Sequence, residues 1–68
     1  MQSQAIDIDG RFVGAAVRQA EGFRFVALDI RLDELDGSLW PNLTEMRRHL
    51  RALAAVAESA RRQGTTTH

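Results

Sequence analysis

Apolar and polar positions alternate with period two from Ala5 to Ile8, and Asp9-Gly10 follows as the pair a type I′ hairpin needs, since both central residues take positive φ. A second strand is expected from Arg11 to Arg18, with Val13, Ala15 and Val17 on one face and Phe12, Gly14 and Ala16 on the other. Gln19-Ala20-Glu21-Gly22 reads as a short connection ending in glycine. A third strand then runs from Phe23 to Ile30, with Val26, Leu28 and Ile30 on one side and Phe23, Phe25 and Ala27 on the other. These segments predict a three-stranded antiparallel meander with more apolar surface than one helix can cover.

Residues 31–41 place Leu32, Leu35 and Leu39 among acids and a glycine, the pattern of a folded connection pinned by leucines. Trp40-Pro41 breaks regular structure, because the residue before proline is pushed out of the helical region. Asn42 then reads as an N-cap, with Glu45 placed to complete a capping box. In the helix that follows, Leu43, Met46, Leu50, Leu53, Ala57 and Ala60 recur at helical spacing and form one narrow apolar stripe. Glu45 near its start and Arg61 and Arg62 near its end suit the helix dipole, and Gly64 suits a C′ position, so the helix is expected to end near Arg62 or Gln63. The predicted fold is α+β, a βββα domain over residues 1–63 with the helix packed on one sheet face and a flexible tail at 64–68.

At 68 residues the chain is one domain, and at this size apolar burial and the cost of ordering nearly cancel. Without cysteine there is no disulfide to staple it, so a second copy of the chain is the simplest stabilising partner. Nothing resembles a membrane span, and the acidic start is unlike a signal peptide, which places the chain in the cytoplasm as an expectation. Nine arginines balance nine acids, and a net charge of zero argues against a wholesale nucleic-acid binder. The sum conceals a segregation: residues 1–36 hold seven acids and four arginines, net −3, whereas residues 37–68 hold two acids and five arginines, net +3.

Catalytic equipment is scarce. The chain has no Cys, Tyr or Lys, and its histidines are His49 and His68. None of Ser3, Ser38 and Ser59 lies in a nucleophile-elbow context, so no catalytic residue is assigned and His49 reads as a helix-flank residue beside Glu45. Asp7-Ile8-Asp9-Gly10 resembles the opening of a calcium loop but lacks its later ligands, and Glu45 with His49 offers two metal ligands where three or four are needed. No metal or cofactor is expected. Gly22 to Leu28 partly matches the strand on which RNA-recognition domains stack bases, but Glu21, Arg24 and Leu28 depart from that pattern, and Phe23 and Phe25 read as core or dimer-interface residues.

Partner contact is a different matter. Asp29, Asp33, Glu34 and Asp36 crowd into eight residues with only Arg31 against them, which predicts a local negative field. Arg47, Arg48 and Arg51 share a helical arc with Arg62, interrupted by Glu58, and form either a solvated face with Glu58 pairing Arg62 or a contact for carboxylates or phosphates. Trp40 caps the core or, if exposed, serves as a binding hot spot.

The stretch from Gly22 to Arg31, continued by Leu35 to Leu43 and by Met46-Arg47-Arg48, resembles small accessory proteins of bacterial phages and plasmids, a pool that includes the type I anti-CRISPR proteins. The resemblance covers about half of the chain. It implies a cofactor-free, non-enzymatic inhibitor that docks on a type I CRISPR effector complex and blocks recruitment of target DNA. It transfers no catalytic residue. The acids 29, 33, 34 and 36 would then stand in for phosphates, with Trp40 or the helix arginines supplying specific contacts. The competing expectation is a small dimeric DNA-binding or plasmid-maintenance protein that lays Arg47, Arg48 and Arg51 on phosphates.

Overall fold

A computed structural model describes residues 2–65, and the side chains of residues 2–60. The elements follow in the order β1 (Ser3–Ile8), β2 (Arg11–Gln19), β3 (Gly22–Ala27), a 3-10 helix (Ile30–Leu35), β4 (Leu39–Trp40) and α1 (Leu43–Thr65). The strands form one open antiparallel sheet in the order β1-β2-β3-β4. The expected meander is present, but it gains a fourth strand. The segment after the 3-10 helix is drawn back alongside β3, where Phe23 faces Trp40 and Arg24 faces Leu39. Two residues are too few to register as alternation in sequence.

The first hairpin turns as its residues require, with Asp9 at φ 53° and Gly10 at φ 81°. Beyond it, β2 departs from simple alternation. Ile6 pairs with Gly14 and Asp7 with Phe12, so Val13 has no partner on β1 and forms a bulge. The bulge changes the phase of the strand: Val13 joins Gly14 and Ala16 on the buried side, while Phe12, Ala15 and Val17 share the opposite face. The expected grouping of Val13 with Ala15 and Val17 is corrected by that one extra residue. The displaced Val13 carbonyl accepts the amides of Leu28 and Asp29 at 2.9 and 3.2 Å, at the point where β3 gives way to the 3-10 helix. That strand therefore stops at Ala27 and not at Ile30.

The core comprises Ile6, Ile8, Val13, Ala16, Phe25, Leu32, Met46 and Leu50, with Phe23, Ala27, Leu35, Trp40, Leu43, Leu53 and Ala54 packed around it. Leu32 and Leu35 pin the connection as expected, but Leu39 is exposed. Helix α1 starts where Asn42 predicts: its side-chain oxygen accepts the Glu45 amide at 2.8 Å. The reciprocal half of the capping box is missing, because the Glu45 carboxylate instead meets Arg48 at 2.5 Å. At 23 residues and roughly 1.5 Å per residue, α1 outruns the sheet in a molecule 48 × 17 × 17 Å, and the apolar stripe is exposed by Ala60. The helix passes the expected end and reaches Thr65; the expectations for the Arg61 and Arg62 side chains and for residues 66–68 lie outside the described residues.

Candidate interaction surface

The four acids expected to act together divide into two pairs. Asp29 caps the 3-10 helix: its carboxylate accepts the Arg31 amide at 2.9 Å and grips the Arg31 guanidinium, with the shortest contact at 2.8 Å. The side-chain and backbone hydrogen bonds from Arg31 hold the Asp29 carboxyl below the usual aspartate range, and the bond to Asp29 raises Arg31 in turn. Asp36 accepts the Ala27 amide at 2.9 Å and so caps the outer side of β3. Both are occupied within the fold. Asp33 and Glu34 are exposed, and their carboxylates form no hydrogen bond or ion pair among the described residues.

Immediately before them stand Leu28 and Ile30, 66% and 88% exposed. The Val13 bulge and the Asp29 cap fix the backbone here while leaving both side chains projecting. Sequence alternation extended the strand through these residues and so missed their position on a projecting corner. The available clue was Asp29 with Arg31 two positions later, a local side-chain cap that ends a strand.

Trp40 caps the core. Its indole N–H donates to Ser38 Oγ at 2.8 Å, Ser38 Oγ donates to the Leu35 carbonyl at 2.5 Å, and its ring lies 4.6 Å from that of His49. His49 is further tied to the helix by its Nδ1, 3.0 Å from the Glu45 carbonyl, an oxygen that can only accept. Trp40 is half-buried and its donor is taken, which leaves little of it for a partner.

The arginine arc also divides. Arg48 pairs with Glu45, Arg47 is half-buried, and Arg51 is exposed. Arg51 lines an open recess of about 250 Å³ together with Arg11, Arg31, Asp9 and Glu58. Glu58 reaches Arg31 at 3.4 Å and ties α1 to the 3-10 helix; its expected partner Arg62 falls outside the described side chains. No sequence pattern links Arg11 to Arg51, because only the fold brings the hairpin beside the helix. The recess carries both signs of charge, so it is not a uniform anion site.

Among the described residues, no group of three or more His, Asp or Glu stands close enough to hold a metal ion, and no helix is long and apolar enough to cross a membrane. No family model, no curated protein and no solved structure matches this chain.

Proposed function

We propose that this protein acts by binding and not by catalysis, using the corner Leu28–Glu34 to dock on a basic, nucleic-acid-binding surface of a bacterial defence complex and exclude target DNA. The supporting observation is the juxtaposition on that corner: two exposed apolar side chains, Leu28 and Ile30, bordered by the carboxylates of Asp33 and Glu34, which are unpaired among the described residues. An apolar anchor with a charged rim is the usual anatomy of a protein interface, and the rim selects a partner of opposite sign. The resemblance to anti-CRISPR proteins suggests a type I effector complex as that partner. Asp29 and Asp36 shape the corner and do not imitate phosphates.

Target-DNA binding by a type I effector, measured by fluorescence anisotropy with and without the protein, tests this reading. Loss of DNA binding as the protein is titrated is expected; undiminished DNA binding sinks it.

A second reading is direct contact with duplex DNA through Arg47 and Arg51, favoured by the placement of Arg11 and Arg51 on one recess with no ion pair of their own among the described residues. It requires a mobility shift at low salt that weakens steeply as salt rises.

A further inference from the structure

The two edges of the sheet are unlike. Along β3 the Phe25 amide donates to Ser38, the Phe25 carbonyl accepts from Gly37, and the Ala27 amide is taken by Asp36. Beyond them β4 is two residues long and is followed by Pro41, so this edge offers almost nothing to a further strand.

The β1 edge is the opposite case. Arg18 N–H donates to the Gln2 carbonyl at 2.9 Å, which sets the parity of the ladder. Gln4 and Ile6 therefore turn their peptide groups toward β2, through their partners Ala16 and Gly14, and Ser3, Ala5 and Asp7 turn theirs outward. No hydrogen bond from elsewhere in the described chain reaches those outward groups. Strand β1 has no proline and no basic residue, the bulge lies on β2, and its single charge is Asp7.

We propose that two copies of the chain join antiparallel through β1, about a two-fold axis centred on Ala5, into one eight-stranded sheet. A second copy fits because β1 complements itself. Pairing Ala5 with Ala5 of the second copy engages all three outward residues in about six backbone hydrogen bonds and sets each Ser3 opposite the second copy's Asp7. There the hydroxyl donates to the carboxylate. A register centred on Asp7 would oppose two carboxylates, and one centred on Ser3 would leave Asp7 outside the ladder. The small core of the single chain gives such pairing a further role in stability.

The natural chain contains no cysteine, so disulfide trapping reads the register directly. Ala5→Cys is expected to form a covalent dimer on oxidation, because paired Cα atoms stand about 5.5 Å apart. Ser3→Cys is expected not to, since the two sites would lie about 13 Å apart. Light scattering at micromolar concentration should give twice the chain mass for the natural protein. Ala5→Pro should give the single mass, since the amide it removes has no partner among the described residues of one copy. Should that variant fail to fold, Ser3→Asp provides the same test by opposing two carboxylates, and should raise the dimer dissociation constant about tenfold. A single-chain mass for the natural protein, equal trapping at both cysteines, or a dimer indifferent to Ser3→Asp and Ala5→Pro overturns the proposal. Inhibition of DNA binding by a single-chain form would still leave the functional reading intact.

Discussion

Gly14 lies under the ring of Phe25: a Cβ at position 14 would stand 2.8 Å from Cε1 and 2.9 Å from Cζ, and would also collide with the Val26 carbonyl. The largest side chain of the core therefore fits because the neighbouring strand has none at that point. Gly14→Ala should cost about 1–3 kcal/mol, the range for overpacking a filled core. Urea denaturation would show this as a lower midpoint at unchanged slope, and a midpoint equal to that of the natural protein would refute the packing argument.

The helix cap makes a separable prediction. Asn42→Ala removes the acceptor of the Glu45 amide and should cost about 1 kcal/mol. Glu45→Ala gives up only a surface ion pair with Arg48 and part of a dipole interaction, and should cost less than half as much. Equal losses would mean that the capping box closes in solution.

The pH dependence follows from Asp29. Its folded-state pKa lies below the ordinary value of 3.8, so the stabilisation it provides is complete well above that value and is lost as pH falls through the folded pKa. Arg31 is raised from an already high value and stays charged throughout this window. Asp29→Asn should therefore flatten the acid limb of a plot of stability against pH below about 4, with less change in its slope near neutrality. An unaltered acid limb would remove Asp29 from the account.

For the binding corner, Ile30→Ala and the double reversal Asp33→Arg with Glu34→Arg should each weaken partner binding by at least about tenfold while leaving thermal stability nearly unchanged. Reversal of Asp36 should destabilise the protein, because its carboxylate holds the Ala27 amide. Competition binding alongside thermal melts separates the two effects, and inhibition unaffected by the first two changes would place the contact elsewhere.

Much of the fold is legible in the sequence where local chemistry and long-range packing agree. Asp9-Gly10, Asn42 and the Met46–Leu50 stripe all do what their residue types demand. The departures occur where a contact distant in sequence decides the outcome. Val13 is out of phase because the β1–β2 register shifts, and Leu39–Trp40 become a strand because β3 offers an edge. The candidate surface was less legible for a related reason. Charge counting treats Asp29, Asp33, Glu34 and Asp36 alike, whereas Asp29 is committed to the Arg31 amide two residues on and Asp36 to the Ala27 amide that only the folded chain presents.

The contrast between the two sheet edges also limits how far any assembly can grow. A protein with two open edges can recruit copies head to tail without end and so build fibres, whereas one whose sheet is sealed along β3 can use only the same patch on both partners. Such an isologous contact closes at two. Asp36, Gly37 and Ser38 thus act as a terminator, and only with that side opened could a self-limiting contact become one capable of propagating as a filament.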